Sequence, residues 1–139
     1  MQEQKRILVI DSEPDNLYSA RDLLNAEGYE VLTHPSPFGI PGLIRTAAPD
    51  LVLIGVNTPF FPGVDLAAYL WSDDRTRAIP IVLYTSDDER TLMSTVATYR
   101  LSGYIRKGDG SELRRKVAFF LGSHLVDAPA FRKQLYAVE

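Results

Sequence analysis

The chain of 139 residues contains no cysteine, which excludes disulfide bonds and thiolate metal sites. It also lacks a run of about 18 consecutive apolar residues, the length that a membrane-spanning helix requires. The segment from Met1 to Arg6 is polar and does not resemble a signal sequence. A formal net charge of −3 leaves no basic excess that would favour nucleic acid. These absences predict a cytoplasmic protein without membrane or nucleic-acid partners.

The composition is that of an ordinary globular domain, with 45% hydrophobic and 24% charged residues. This length is enough for one sizeable core but not for two. We expect one domain over residues 1–125. Residues 126–139 are expected to form a C-terminal tail, a short helix or a linker, because Pro129 interrupts the chain before a modest apolar stripe at Phe131, Leu135 and Val138.

Short apolar runs alternate with helical patterns along the chain. Strands are predicted at Ile7–Ile10, Tyr29–Thr33, Leu51–Val56, Ile81–Thr85 and Gly103–Ile105. Three helices are predicted with both ends, at Pro14–Glu27, about Val64–Ser72 and Ser111 to about Leu125. Two more are predicted by their starts, a short helix that begins near Pro41 and a helix that begins at a capping box at Ser86–Glu89. Five strands interleaved with helices indicate a parallel sheet that is covered on both faces.

Polar side chains stand where several predicted strands end, which is where open parallel sheets form their sites. These positions are Asp11-Ser12-Glu13, Gly55, Thr85-Ser86 and Lys107. Each residue taken alone has an ordinary structural explanation: Asp11 could cap a helix, Thr85 could close a turn, and Lys107 could be a solvated loop charge. The set is more informative than its members, because it gathers a carboxylate, a hydroxyl and an ammonium at one edge.

Spacing and local motifs give this set a family resemblance. Asp11, Gly55, Thr85, Tyr104 and Lys107 stand 44, 30, 19 and 3 residues apart, within the motifs PDLVLIGVNTP, IPIVLYTS and GYIRKG. The chain from about Lys5 to Leu125 resembles the response-regulator receiver domain of bacterial two-component and phosphorelay signalling. The resemblance implies a CheY-like, flavodoxin-like fold, which is a doubly wound five-stranded parallel sheet of order 2-1-3-4-5.

The resemblance also implies a role for each position. The family's metal-binding acidic pair matches Asp11 and Ser12, its phosphoacceptor aspartate matches Gly55, and its switch hydroxyl matches Thr85. Its rotating aromatic residue matches Tyr104 and its lysine matches Lys107. Together with Glu13, these residues are named the switch pocket: Asp11, Ser12, Glu13, Gly55, Thr85, Tyr104 and Lys107. Gly108 replaces the proline that usually follows the lysine, and Arg100 replaces a glycine that usually ends the preceding helix.

Gly55 and Ser12 stand where the resemblance implies carboxylates, and these two departures predict that the chemistry of the family is absent. Gly55 has no side chain and cannot accept a phosphoryl group, because that transfer needs an oxygen nucleophile. Mg²⁺ prefers carboxylate and carbonyl oxygens, and only weak binding at Asp11 and Glu13 is expected. We therefore expect no cofactor and no enzymatic activity. Lys107, deprived of the acceptor carboxylate, is expected to form an ion pair with Asp11, whereas Thr85 and Tyr104 fit either a retained switch or simple packing.

A protein partner is the remaining expectation. Aromatic residues and arginine are enriched at interfaces, and candidate partner residues include Phe60 and Phe61, although one or both rings could instead pack under their loop. Further candidates lie on the predicted fourth helix, fifth strand and fifth helix, a face that could also form a homodimer. These are Tyr99, Arg100, Tyr104 and Arg106, with Arg114 and Arg115 nearby.

Three functions are compatible with these patterns. The first is a degenerate receiver that acts as a phosphorylation-independent protein-interaction module. The second is a receiver that responds to a ligand or metal in the pocket around Asp11, Thr85 and Lys107. The third, an aspartyl-nucleophile phosphatase, is disfavoured because Glu13 stands where a second aspartate is needed, and because Lys107 and Asp109 share one loop.

Overall fold

A computed structural model describes residues 4–36, 39–55 and 72–122 of the chain. Its five strands form one parallel sheet in the order β2-β1-β3-β4-β5, with helices packed against it. The strands are β1 (Arg6–Ile10), β2 (Glu30–His34), β3 (Leu51–Ile54), β4 (Ile81–Thr85) and β5 (Gly103–Arg106). This architecture confirms the predicted fold class and strand order.

Four helices lie in the described residues. They are α1 (Pro14–Ala26), α2 (Ile40–Ala47), α3 (Glu89–Tyr99) and α4 (Ser111–Leu121). The short second helix near Pro41 is confirmed, with proline in its first turn where a missing amide is tolerated. The predicted helix at about 64–72 lies outside the described residues except for Ser72, and the predicted tail at 126–139 lies outside them entirely.

The sheet is buried on both faces because its strands carry apolar residues at consecutive positions. Side chains alternate between the two faces of a strand, and β1 follows this rule: Leu8 and Ile10 join one core cluster, while Ile7 and Val9 join the other. The first cluster also contains Ile44 of α2 and residues of α3, and the second contains residues of α1 and α4. This two-sided burial accounts for the consecutive apolar residues of β1, β3 and β4, whereas β2, at the edge of the sheet, is only partly buried and carries polar residues.

The start of α3 corrects one local prediction. The sequence pattern suggested a capping box with Ser86 as the first partner, but the helix begins at Glu89 and Asp88 is its N-cap. The Asp88 carboxylate accepts hydrogen bonds from the amide and the hydroxyl of Thr91, both at 3.0 Å. Asp88 takes the cap because it directly precedes the first helical residue, so its side chain reaches the unpaired amides of the first turn.

The end of α3 is conformationally strained. Arg100 adopts the left-handed conformation with a φ of 56°, and its amide donates to the carbonyl of Val96. Glycine is the usual residue at such a helix end because a Cβ atom disfavours this conformation. The structure therefore places Arg100 where glycine would fit with less strain.

Candidate functional site

The carboxyl edge of the sheet brings together the residues that follow β1, β3 and β5. The amide of Gly55 donates to the carbonyl of Ile10 at 2.8 Å, which places Gly55 beside the end of β1. The amide of Lys107 donates to the carbonyl of Thr85 at 2.9 Å, which continues the pairing of β5 with β4. Asp11 directly follows β1 and is only 6% exposed. Sheet pairing thus assembles four predicted positions at one edge.

Asp11 and Lys107 form the ion pair that the sequence predicted. The Lys107 Nζ lies 3.1 Å from the Asp11 Oδ2 although 96 residues separate them. The other carboxylate oxygen, Oδ1, accepts a hydrogen bond from the amide of Glu13 at 2.9 Å. Each oxygen of Asp11 is therefore already engaged by a donor of the chain itself.

Tyr84, which sequence reasoning did not select, supports this pair from β4. The Lys107 Nζ lies 5.2 Å from the centre of the Tyr84 ring, within the range of a cation–π interaction. Burial raises the pKa of the Tyr84 phenol, and the negative charge of Asp11 raises it further. The phenol is therefore neutral at physiological pH, and its ring adds to the stabilisation of the ammonium. An aromatic residue directly before Thr85 was the available sequence signal.

The two residues that follow Asp11 in the switch pocket face solvent. Ser12 and Glu13 are both exposed, and Glu13 is the residue that precedes the first turn of α1. Gly55 is buried and contributes only backbone atoms. Within residues 4–36, 39–55 and 72–122, no group of three or more histidine or carboxylate side chains is arranged to hold a metal ion. The described part of the site thus offers a single buried carboxylate.

Tyr104 of β5 points inward and is only 3% exposed. Its hydroxyl donates to the Oε2 of Glu89 at 2.6 Å, which connects β5 to the first residue of α3. The Nζ of Lys116, on α4, lies 4.4 Å from the centre of the ring and donates to the Tyr104 carbonyl at 3.1 Å. These contacts and the core cover Tyr104 almost completely, so as a partner candidate it could contribute only through the groove that it lines, which is described below.

Lys116 and Glu112 form a second ion pair, which sequence reasoning missed. The Lys116 Nζ lies 2.9 Å from the Glu112 Oε2, and this oxygen also accepts from the amide of Arg106 at 3.0 Å. Burial lowers the pKa of Lys116, and Glu112 opposes that effect. Burial alone would raise the pKa of Glu112, but hydrogen bonds from Arg106 and Lys116 outweigh it and lower the pKa. The i,i+4 spacing of these residues on a helix was the signal that could have revealed the pair.

The remaining partner candidates lie on the surface formed by α3, β5 and α4, named the α3–β5–α4 face. Arg100 and Arg106 are exposed, and Tyr99 is half-buried. Arg106 also pairs with Glu112 at 3.7 Å. Met93 is 49% exposed beside a shallow groove of about 200 Å³. The groove is lined by Met93, Val96, Ala97, Leu101, Ser102, Gly103 and Tyr104. Phe60 and Phe61, the other two candidates, lie outside the described residues.

A second groove, of about 360 Å³, separates the loop after β4 from the loop after β5. It is lined by Ser86, Asp87, Asp88 and the segment 106–112, so Lys107 is the one residue of the switch pocket in its lining. Three of its four carboxylates accept from backbone amides: Asp109 from Ser111 at 3.0 Å, Asp88 from Thr91 at 3.0 Å and Glu112 from Arg106 at 3.0 Å. The lining of the groove thus contains both basic and acidic side chains.

No helix in the described ranges has the length and apolar character needed to cross a membrane.

Comparison with known proteins identifies a family. A family model described as the response regulator receiver domain matches residues 7–118. The chain is 31% identical over 86 residues to the protein PilH of Pseudomonas aeruginosa, an alignment that covers 62% of this chain and 71% of that protein. It is 30% identical over 91 residues to the polar-differentiation response regulator DivK of Brucella anthropi, covering 62% of this chain and 74% of DivK.

Solved structures agree with this match. The chemotaxis response regulator CheY4 of Vibrio cholerae superposes with a TM-score of 0.73 at 18% identity, covering 86% of this chain and all (100%) of CheY4. The response regulator protein TrrA of Thermotoga maritima, solved in complex with Mg²⁺ and BeF, superposes with a TM-score of 0.71 at 26% identity. That superposition covers 85% of this chain and 100% of TrrA.

Proposed function

Because the chain belongs to the response regulator receiver domain family, we propose that it is a receiver without a phosphoacceptor, which signals as a phosphorylation-independent protein-interaction module. Receiver domains are generally signalling modules rather than enzymes. The proposal concerns how this member transmits a signal when position 55, at the end of β3, is glycine.

The observation that carries the proposal is the state of Asp11 beside Gly55. In a phosphorylated receiver a carboxylate at position 55 would supply the nucleophilic oxygen, and glycine supplies none. Asp11 has a structural role in this proposal, because one of its oxygens pairs with Lys107 and the other accepts from the Glu13 amide. An aspartyl-nucleophile phosphatase is disfavoured because Glu13 stands where that family needs a second aspartate, and because Glu13 is exposed.

The described residues of the switch pocket fit Mg²⁺ poorly, which supports a receiver that works without this cofactor. Mg²⁺ requires near-octahedral coordination by oxygen ligands, of which proteins usually supply one or two carboxylates. Ser12 stands where the resemblance implies a second carboxylate, Glu13 is exposed, and the Lys107 ammonium lies 3.1 Å from the one buried carboxylate. A monovalent side-chain cation thus neutralises Asp11 from within the chain. TrrA, by contrast, was solved with Mg²⁺ and BeF bound.

Intact-mass measurement tests the proposal directly. The full chain is incubated with acetyl phosphate and Mg²⁺ and then weighed, and no phosphoryl adduct is expected. The double variant Gly55→Asp, Ser12→Asp is the matched positive control, because it restores both the nucleophile and the second metal carboxylate. The single variant Gly55→Asp is expected to be labelled poorly, since Ser12 still deprives the metal of a ligand. One acid-labile phosphoryl group on the unmodified chain would overturn the proposal.

The proposed partner is a protein, bound through the α3–β5–α4 face, and a second copy of the chain is one form that it could take. The face combines the exposed Met93 and its apolar groove with the exposed Arg100 and Arg106. Methionine and arginine are both enriched at interfaces relative to the rest of the protein surface. Sedimentation over a range of protein concentrations tests the homodimer, with Met93→Glu as the variant that would dissociate it. Cytoplasmic location and the absence of nucleic-acid and membrane partners remain predictions.

A ligand-responsive receiver is the second candidate, and the groove of about 360 Å³ next to Lys107 is the observation that favours it. Anything that binds only the folded state raises the melting temperature by mass action. A melting series with inorganic phosphate and with Mg²⁺ therefore tests it. A concentration-dependent rise that Lys107→Met removes would support this candidate over the first.

A further inference from the structure

We propose that four side chains hold Tyr104 permanently in its buried orientation and thereby give the α3–β5–α4 face one fixed shape. The four residues, named the tyrosine lock, are Glu89, Tyr104, Glu112 and Lys116. The inference rests on the proposed function, because a module without a covalent input needs its binding face to be in the competent shape at all times.

The first part of the lock acts on the phenol hydroxyl. The Tyr104 hydroxyl donates to the Glu89 carboxylate at 2.6 Å, within the short range that is typical of charge-assisted hydrogen bonds. Glu89 is the first residue of α3, and Tyr104 lies in β5. The bond therefore ties the start of the helix to the neighbouring strand. Turning Tyr104 outward would deprive the carboxylate of this donor.

The second part of the lock acts on the ring and the backbone. Lys116 is only 2% exposed, so its ammonium depends on partners supplied by the protein. Those partners include the Glu112 carboxylate at 2.9 Å, the Tyr104 carbonyl at 3.1 Å and the face of the Tyr104 ring at 4.4 Å. Movement of the ring would remove the π contact from a buried cation, which is costly in a desolvated site. Two charges, one from each flanking helix, thus favour the same orientation.

The lock has a direct effect on the surface. Tyr104 is among the residues that line the apolar groove, together with Val96 and Leu101, so a turn of its side chain toward solvent would change that lining. Lys116 and Glu112 carry the constraint to α4, since both lie on that helix. A partner that binds this face therefore meets one arrangement of α3, β5 and α4.

Nitration by tetranitromethane measures the lock in the full chain, with peptide mass spectrometry to locate each nitrated tyrosine. Tyr18 is 48% exposed and is the internal reference for an accessible phenol. We expect Tyr104 to react at least about tenfold more slowly than Tyr18, because its reaction requires local opening. Glu89→Ala and Lys116→Met should each raise the Tyr104 rate several-fold toward that of Tyr18.

Matched controls separate the lock from general loosening. Arg90 lies next to Glu89 on α3, Arg115 lies next to Lys116 on α4, and both side chains are exposed. The control variants Arg90→Ala and Arg115→Met should leave the nitration rate of Tyr104 unchanged. Far-UV circular dichroism checks folding, and if Lys116→Met does not fold, Glu89→Ala decides the result. Nitration of unmodified Tyr104 as fast as Tyr18, or unchanged protection in a folded lock variant, would overturn the inference. The phosphodonor experiment is independent, so failure of the lock and failure of the proposed function are distinguishable.

Discussion

The ion pair between Lys107 and Asp11 makes a quantitative prediction about stability. The variant Lys107→Met removes the ammonium but keeps most of the aliphatic stem, and it leaves the Asp11 carboxylate with the Glu13 amide as a donor. The variant Asp11→Asn removes the charge but keeps an oxygen that can accept from that amide. Together with the double variant, they form a cycle that isolates the energy of the pair.

The expected magnitude follows from the distance and the burial of the two groups. At 3.1 Å and an effective dielectric constant of about 20, the direct attraction is roughly 5 kcal/mol. Desolvation offsets much of this, and the Lys107 side chain keeps 21% exposure against 8% for Asp11. We therefore expect Lys107→Met to cost about 2–3 kcal/mol, somewhat below the usual cost of breaking a fully buried pair. The coupling energy in the cycle should be about 1–2 kcal/mol.

Urea denaturation of the four proteins measures these energies, and thermal melting should show a parallel loss of about 3–4 °C per kcal/mol. The exposed pair Arg77–Asp74, with side chains 58% and 88% exposed, is the control. Arg77→Met should change stability by less than about 0.5 kcal/mol, as exposed pairs usually do. A coupling energy between Asp11 and Lys107 below about 0.5 kcal/mol would refute the idea that the ammonium neutralises the Asp11 carboxylate.

Three further predictions concern backbone strain and pH. Arg100→Gly should raise the free energy of unfolding by about 0.5–1 kcal/mol in urea, because it relieves the left-handed strain at φ 56°; a loss of stability would contradict this account. Gly110→Ala should lower the free energy of unfolding by about 1–3 kcal/mol, because φ is +95° at this position and the new Cβ would meet Leu23 Cδ1. Gly108→Ala, with open space around it, is the control and should be near neutral. Equal effects of the two alanines would exclude that explanation. The hydrogen bonds and ion pair that lower the pKa of Glu112 stabilise the fold above the ordinary glutamate pKa of about 4.3, and acidification through the folded-state pKa should remove this contribution. Denaturation curves between neutral and acidic pH should show that Glu112→Gln loses less free energy of unfolding on acidification than the unmodified chain. An equal loss in the two proteins would count against the pair.

Much of the fold was predictable because its signals are local. Ile7–Ile10 and Ile81–Thr85 are continuous apolar runs of strand length, and both form buried strands of the parallel sheet. Pro14 and Gly28 bracket α1 because proline suits the first turn of a helix and glycine suits the residues just beyond its end. The choice between Ser86 and Asp88 as the cap of α3 was not predictable, because it depends on where the helix begins.

The switch pocket was predictable only in part. The pairing of Asp11 with Lys107 was expected from the family resemblance, which places both residues in one pocket and leaves Lys107 without an acceptor carboxylate at position 55. The contacts of Tyr84 with Lys107 depend on how the ends of β4 and β5 lie relative to each other, which no local pattern records. Thr85 is buried at the end of its strand, in agreement with the ordinary packing role that the sequence also allowed.

The sequence by itself determined the succession of strands and helices along the chain, the glycine at position 55 and the charged residues that follow the strands. Hydrophobic periodicity and turn chemistry act over a few residues, so they can be read without coordinates. Only the tertiary structure decided that Lys116 is buried and that Tyr104 points inward between Glu89 and Lys116. Those outcomes depend on which distant groups replace water around a charge, and that competition arises only when α3, β5 and α4 pack together.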